Sequence, residues 1–205
     1  MPRLSTELKR IEDMFKFWNE KYYDGKLEDP VLTLIPDHRG RSYGWFTCYK
    51  AWNDQDDKNG YYEINISADQ LERTIEEITG TLLHEMAHLY NHMNGIQDTS
   101  RGGRYHNLHF KETAEKHGLI ITQVPVIGWS KTQINEETKK IIIEKKFKTV
   151  RLKRNCEDSI SSKGKSKTKQ SMRKYVCPSC GCIIRATKEV NVICKDCYVD
   201  FEVES

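Results

Sequence analysis

The sequence has no run of about 18 apolar residues, the length that a membrane-spanning helix needs. Its first ten residues, Met-Pro-Arg-Leu-Ser-Thr-Glu-Leu-Lys-Arg, also lack the apolar stretch of a secretory signal peptide. We therefore expect no membrane association and a cytoplasmic location, where thiols stay reduced. The seven cysteines are then better explained as metal ligands and spare thiols than as disulfides.

Positive charge is concentrated in one segment of this chain of 205 residues. Residues 148–174 hold ten Lys and Arg against Glu157 and Asp158, so this segment carries +8 and the remainder −5. Such an asymmetry predicts a flexible basic linker with a polyanionic partner, DNA or another nucleic acid. A solvated tether kept soluble by its lysines fits the charge equally well. The candidate nucleic-acid-binding residues are Lys163, Lys165, Lys167, Lys169, Arg173 and Lys174.

A possible metal-binding motif is the stretch Thr-Leu-Leu-His-Glu-Met-Ala-His at residues 81–88. Apolar residues recur every three or four positions around it, which predicts a helix over residues 71–93. On a helix His84 and His88 lie one turn apart on one face, where both can bind one metal ion. Glu85 lies beside them as a general base for water. A chance match on an amphipathic helix is the alternative, and the further candidate ligands that follow argue against it.

The remaining periodicity predicts a mixture of helices and strands. A first helix is expected over residues 5–23 with Ser5 as its cap, and Ser67 or Asp69 is expected to cap the histidine-bearing helix. Residues 107–116 predict a further helix, residues 128–130 are typical of a turn, and residues 136–147 fit either helix or strand. Strands or extended segments are predicted at 31–35, 44–50, 61–66 and 119–127.

A catalytic zinc ion takes three protein ligands and leaves its fourth position to water, so a third ligand must follow the helix. His92 is one turn beyond His88, but three ligands in line on a straight helix cannot converge on one ion. Asn94 stands where the extended motif His-Glu-x-x-His-x-x-Gly-x-x-His has its last histidine, which excludes that motif. Glu112 and His106 remain as candidates.

The pattern His-Glu-Met-Ala-His, followed by His-x-x-x-Phe at the head of a helix, resembles the SprT-like domains, which include the Spartan proteases of DNA–protein crosslinks. The resemblance also covers Phe17-Trp18-Asn19, Tyr43-Gly44-Trp45-Phe46 and Glu63-Ile64-Asn65-Ile66, and so touches most of the chain. It implies that His106 is the third zinc ligand. Asn107 replaces the glycine common in that family and His109 adds a competitor, so His109 and Glu112 stay open as alternatives.

With zinc held by His84, His88 and His106, Glu85 is expected to act as the general base for attack of water on a peptide carbonyl. Tyr105 and Arg104, beside the third ligand, are candidate helpers for the oxyanion. Glu77 is a candidate acceptor for an outer ring N–H of a ligand histidine.

Two Cys-x-x-Cys pairs, Cys177 with Cys180 and Cys194 with Cys197, are separated by thirteen residues near the C-terminus. This spacing predicts a zinc ribbon with a structural zinc ion, whose binding energy folds the module. Cys182 is a spare thiol that competes with Cys180 as a ligand. The ribbon is expected either to contact nucleic acid through phosphates or to serve as an architectural cap.

The predicted fold class is therefore α+β: a zincin-like metalloprotease domain, with a small sheet packed on the His-Glu-x-x-His helix, and a C-terminal zinc ribbon. The predicted domains are 1–147, the basic linker 148–174 and the ribbon 175–205. We expect a zinc-dependent endopeptidase acting on proteins associated with DNA. A non-catalytic nucleic-acid-binding or regulatory protein is the alternative, and an amidase of small substrates would need a deep closed pocket.

Overall fold

The computed structural model describes residues 3–37, 42–55, 59–148, 150–152, 154 and 172–204. The chain divides into two compact units, Met1–Glu157 and Asp158–Ser205, and each is described by itself. Lys163, Lys165, Lys167 and Lys169, which were predicted to bind nucleic acid, lie outside the described residues. No described helix is long and apolar enough to cross a membrane.

The first unit is a mixed α+β structure. Its helices are α1 (Leu4–Tyr23), α2 (Ile75–Met93), α3 (Leu108–Lys116) and α4 (Glu136–Lys145), with a short 3-10 turn at Ala68–Gln70. Its strands are β1 (Val31–Thr33), β2 (Gly44–Trp52), β3 (Tyr61–Ile66), β4 (Thr99–Ser100), β5 (Tyr105–His106), β6 (Leu119–Val124) and β7 (Gly128–Ile134).

Two small sheets contact the central helix α2. In the first sheet, ordered β1-β3-β2, β3 pairs parallel with β1 and antiparallel with β2, so β2 lies at an edge. In the second sheet, ordered β4-β5-β7-β6, β5 pairs parallel with β7 and the other pairs are antiparallel. Both β2 and β7 pack against α2, which places one strand of each sheet along the same helix.

The core lies around α2, because the apolar stripe that predicted this helix is buried. Ile78, Leu82, Met86 and Leu89 are fully buried, and they pack with the apolar face of α1 and with residues of both sheets. Removing such side chains from water is the main favourable contribution to folding. The buried members from α1 are Ile11, Met14, Phe15, Trp18 and Tyr23.

The start of α2 differs from the prediction. The helix begins at Ile75 rather than near Leu71, because Thr74 and Glu77 form a capping box. The Thr74 hydroxyl accepts the Glu77 N–H, and the Glu77 carboxylate accepts the Thr74 N–H. Ser67 precedes only the 3-10 turn and makes no side-chain capping bond there, so the prediction of Ser67 or Asp69 as the cap was wrong.

Strand pairing corrects one further expectation, and the structure decides between the two alternatives at residues 136–147. Residues 128–130 belong to β7 and do not form a turn. The turn lies at residues 125–127, where Val126 has a φ of 75°. Residues 136–145 form a helix, capped by the Asn135 side chain, which accepts the Thr138 N–H. After α4, Val150 is buried in the core and the Arg154 N–H reaches Ala68 O, so the first unit continues past residue 147.

The second unit is a small β structure. Its strands are β8 (Arg173–Val176), β9 (Ile183–Ala186), β10 (Ile193–Cys194), β11 (Val199–Asp200) and β12 (Glu202–Glu204). They form a three-stranded sheet, ordered β12-β8-β9, and the pair β10-β11. Strands β9 and β10 follow each other along the chain but have different partners, because β9 pairs with β8 and β10 pairs with β11.

Candidate functional site

Three imidazoles meet on the solvent side of α2. His84 and His88 project from that helix, and His106 projects from β5. The Nε2 atom of His106 lies 3.2 Å from Nε2 of His84 and 3.1 Å from Nε2 of His88. Three nitrogens bound tetrahedrally to one zinc ion at ordinary bond lengths are separated by about 3.3 Å. The donor set and its spacing therefore fit a divalent metal ion such as zinc.

The protonation of the cluster favours the same conclusion. Burial lowers the pKa of His84 well below its ordinary value, and the neighbouring His88 and His106 lower it further. Burial also lowers the pKa of His106 to about 4. Both rings are therefore neutral near pH 7, and the neutral imidazole is the form that coordinates a metal.

The outer nitrogens of the two helical histidines have their own partners. His84 Nδ1 lies 2.8 Å from Thr132 Oγ1 on β7, and His88 Nδ1 lies 2.7 Å from Asp98 Oδ2. The buried Asn91 donates to the same Asp98 oxygen at 3.0 Å. These contacts orient both Nε2 atoms toward His106, as outer partners do in metal sites. Glu77 was the expected acceptor, but its carboxylate is used in the capping box.

A single aromatic ring supports all three imidazoles. The Phe110 ring, which is fully buried, has its centroid 4.5 Å from those of His84 and His88 and 4.7 Å from that of His106. Phe110 lies in the first turn of α3, four residues after His106 on β5, which explains the His-x-x-x-Phe spacing in physical terms. Rings packed on a common surface lose rotational freedom, so Phe110 holds the cluster in one arrangement.

Glu85 is buried beside the histidines and faces β2. Only 6% of its surface is exposed, and it lines the cleft that contains the cluster. Burial raises the pKa of its carboxyl to about 7, although the Phe46 N–H bonds to it and opposes the shift. A carboxyl whose pKa lies near neutrality can both accept and release a proton, which is the requirement for general acid–base chemistry. A nearby metal cation would favour the ionised form.

Close approach of β2 to this carboxyl depends on Gly44. A Cβ atom at Gly44 would lie 2.6 Å from Asn65 O and 2.9 Å from Thr81 Cγ2, distances that no side chain tolerates. The Glu85 Cγ atom would lie 3.5 Å from the same point. Glycine therefore lets the edge strand lie directly against the face of α2 that carries Glu85.

His106 is brought to α2 by the second sheet. Its N–H donates to Ile127 O at 3.1 Å, and it pairs in parallel register with Gly128. A Cβ atom at Gly128 would lie 2.2 Å from His106 O, so only glycine permits this pairing. Asn107, which replaces the glycine expected from the resemblance, caps α3 by accepting the Phe110 N–H.

The competing ligands lie elsewhere. His109 and Glu112 approach each other at 3.9 Å, with side chains 65% and 55% exposed, and neither joins the histidine cluster. The His92 ring lies against Phe46 and Tyr62. Among the candidates, His106 is thus the one whose ring nitrogen reaches those of His84 and His88.

The predicted oxyanion helpers do not reach the cleft. The Tyr105 ring lies against Gly128, with the Arg101 guanidinium 4.9 Å from its centroid. Arg104 is exposed, and neither Arg104 nor Tyr105 is among the described residues that line the cleft.

The cluster lies in an open cleft of about 1270 Å³. Its floor is the exposed face of α2 from Glu76 to His92, one wall is the start of β2, and the other is β7 from Ser130 to Ile134. Arg73 closes one end, where its guanidinium bonds to Gln70 O and Thr81 Oγ1 and lies 4.3 Å from the Tyr43 ring centroid. The histidines lie partway along this groove.

The four predicted cysteine ligands also converge. The sulfur atoms of Cys177, Cys180, Cys194 and Cys197 lie within 4.8 Å of one another, an arrangement compatible with a zinc ribbon. Backbone N–H groups at Cys180 and Ser179 lower the pKa of the Cys177 thiol to about 7, which favours the thiolate that binds zinc. The exposed Cys182 is outside this group and contributes its carbonyl to the Cys177 N–H.

The partners of the histidines were missed by reasoning from the sequence. Asp98 lies ten residues from His88 and Thr132 lies 48 residues from His84. Neither residue belongs to the helix that carries the histidines. Phe110 was noticed only as part of a resemblance. Only the Phe110 contact has a local sequence signal, its spacing from His106. The contacts of Asp98 and Thr132 are created by loop packing and sheet pairing.

Comparison with protein families finds that the SprT-like family matches residues 11–128. Comparisons with curated proteins and with solved structures find no match. The matched region contains α2, β5, α3 and the β2 wall of the cleft, and it ends at the first residue of β7. Because this match extends over more than half of the chain and contains the whole histidine cluster, the chain belongs to the SprT-like family.

Proposed function

We propose that the protein is a zinc-dependent endopeptidase. The observation that carries the proposal is the convergence of three Nε2 atoms beside a buried carboxyl, since a purely structural metal site has no need of Glu85. His84, His88 and His106 would hold the zinc ion, which when bound supplies a Lewis acid for the peptide carbonyl and lowers the pKa of water. Membership of the SprT-like family supports a metalloprotease-like domain.

In this proposal Glu85 moves the proton. Its carboxylate takes a proton from the attacking water and passes it to the leaving amine nitrogen. The surrounding core keeps Glu85 in place beside the histidines, where its carboxylate can accept a proton and then release it. Thr132 and Asp98 hold the His84 and His88 rings so that the reaction needs no rearrangement of the ligands.

The shape of the cleft supports a polypeptide substrate rather than a small amide. From Glu76 to His92 the helical floor extends about 24 Å, which matches about seven residues of an extended chain. Among the described strands β2 pairs only with β3, so no strand covers its other edge along the cleft, where the Phe46 N–H bonds to Glu85. An extended peptide can add to such an edge as a further strand.

Zinc-loaded protein is expected to cut an unfolded protein such as casein, and peptides blocked at both ends, at internal bonds. Removal of zinc with a chelator is expected to reduce the rate by about two orders of magnitude or more, and added zinc should restore it. Mass spectrometry of the fragments identifies the bonds that are cut, and the rate of cleavage of the blocked peptides measures the activity. If only peptides with free termini are cut, or if none is cut, the endopeptidase proposal fails.

We further propose that the substrates are proteins associated with nucleic acid, held near the cleft by the basic segment. The described part of the second unit gives limited support by itself, because residues 172–204 contain five Lys and Arg and five Asp and Glu. Lys174 on the central strand β8 forms an ion pair with Glu204, whereas Arg173 on the same strand and Arg185 on β9 are exposed. Most of the positive charge for a polyanion therefore comes from the lysines between 163 and 169.

Replacing Lys163, Lys165, Lys167 and Lys169 by glutamine in the full chain is expected to weaken DNA binding at low salt. The slope of log affinity against log salt for duplex DNA should become less steep by about 3.6, because four fewer phosphates release their counterions on binding. Fluorescence anisotropy with labelled DNA measures both quantities. A matched quadruple glutamine variant at the exposed Lys9, Lys16, Lys140 and Lys145 should bind as the parent does. If both variants lose the same DNA affinity, the effect comes from the net charge of the protein and not from these four lysines.

A further inference from the structure

A series of hydrogen bonds leads from α3 to one histidine of the cluster. The Thr113 hydroxyl on α3 donates to Asn91 Oδ1 on α2 at 2.7 Å. The Asn91 amide donates to Asp98 Oδ2 at 3.0 Å, and the same oxygen lies 2.7 Å from His88 Nδ1. Side chains from two helices and from the loop after α2 are therefore joined in one series that ends at His88.

The members of this series are largely shielded from water. Asn91 is fully buried, and only 7% of the surface of Thr113 is exposed. The side chains of Asp98 and His88 are 13% and 12% exposed. A buried polar group that loses its hydrogen-bond partner is costly, because water cannot take the partner's place. Each bond in the series is therefore expected to matter to the next one.

Thr113 fixes the order of donors and acceptors along the series. The two ends of an asparagine side chain differ, since the oxygen accepts and the amino group donates. The Thr113 hydroxyl donates to the oxygen of Asn91, so the amino group is the end that faces Asp98. Asp98 can then accept an N–H from His88 Nδ1, which leaves the lone pair of a neutral ring at Nε2. That Nε2 atom is the one that lies 3.1 Å from His106 Nε2.

The same face of α3 contacts the histidine cluster directly. Phe110, whose ring supports all three imidazoles, precedes Thr113 by three residues and lies on the same side of the helix. A hydrogen bond that only fastened α3 to α2 could end on any polar group of α2. This one ends on Asn91, the residue whose amino group bonds to the carboxylate partner of His88.

We propose that Thr113 is a positioning residue of the histidine site, which acts on His88 through Asn91 and Asp98 and so raises the affinity of the site for zinc. The proposal rests on the zinc site of the proposed function and not on peptide cleavage. Loss of a group that orients a metal ligand typically weakens metal binding by about 10–100-fold. Because Thr113 acts through two other side chains, we expect the lower end of that range.

The test compares Thr113→Val, which has nearly the same shape without the hydroxyl, with Thr113→Ser, which keeps the hydroxyl. In the full chain Thr113→Val is expected to bind zinc at the histidine site about tenfold more weakly than the parent, and Asn91→Leu about 10–100-fold more weakly. Thr113→Ser should bind zinc as the parent does. Native mass spectrometry over a range of buffered free zinc measures the affinity, and the His106→Ala variant gives the contribution of the cysteine site.

Thr138→Val is the matched control for stability. Thr138 is fully buried in the same unit, and its hydroxyl donates to Gly118 O at 2.9 Å and lies 2.6 Å from the Tyr22 hydroxyl. Its loss removes buried hydrogen bonds that do not lead to the histidine cluster. This variant should therefore have a lower melting temperature, as Thr113→Val does, and should keep the parent's affinity for zinc.

The proposal is overturned if Thr113→Val keeps the parent's zinc affinity. It is also overturned if Thr113→Ser loses as much as Thr113→Val, since the methyl group would then be responsible, or if Thr138→Val loses the same amount, since the effect would then be one of stability. If the parent holds no zinc at the histidine site, the proposed function fails together with this inference. If the parent holds zinc but cuts no peptide, only the peptidase proposal fails, and the zinc affinities still decide the role of Thr113.

Discussion

Replacing Glu85 by glutamine is expected to abolish peptide cleavage while the fold and zinc content remain unchanged. Glutamine has nearly the same shape and its amide oxygen can still accept the Phe46 N–H that bonds to Glu85. It cannot take a proton from water, so the rate should fall by about 10²–10⁴-fold or more. Only 6% of the surface of residue Glu85 is exposed, so bulk water is a poor replacement for the missing base.

The measurement is kcat/KM on a blocked peptide, together with zinc content and the melting curve. Glu76→Gln is the matched control, because Glu76 lines the same cleft but does not contact the histidine cluster in the described structure. That variant should retain activity within a few fold of the parent. Glu85→Gln that cuts as fast as the parent would remove the mechanism and favour the non-catalytic alternative, a nucleic-acid-binding or regulatory protein that retains the fold.

Replacing His106 by alanine is expected to empty the histidine site selectively. With only His84 and His88 left the site loses one of three ligands, and two imidazoles on one helix bind zinc weakly. Native mass spectrometry or elemental analysis should show a fall from about two zinc ions per chain to about one. Cleavage should be lost with the ion, while the cysteine site keeps its metal because it lies in the other unit.

His109→Ala is the matched control for this experiment. His109 is three residues from His106, and its ring faces Glu112 at the surface instead of the cluster. Zinc content and activity should both stay at the parent's level. If His109→Ala loses the ion and His106→Ala keeps it, the ligand assignment is wrong, and a loss in Glu112→Ala would indicate a carboxylate ligand instead.

The sequence predicted α2 well because its information is local. The apolar stripe and the four-residue spacing of His84 and His88 follow from helix geometry, and both required no knowledge of the neighbours. The helix start was missed because a capping box at Thr74 competes with the apolar residue Leu71, which packs in the core outside the helix. The glycine at residue 128 predicts a turn because glycine is typical of turns, whereas the structure uses Gly128 for close strand pairing with His106.

By itself the sequence determined the pair of histidines, the adjacent carboxyl and the two cysteine pairs, since all of these depend on spacing within one short segment. Tertiary structure decided which later residue joins the pair, because parallel pairing of β5 with β7 carries His106 to α2 and leaves His109 at the surface. It also decided the partners of the histidine rings and the raised pKa of Glu85. Those properties depend on burial and on contacts between distant segments, which spacing along the chain does not record.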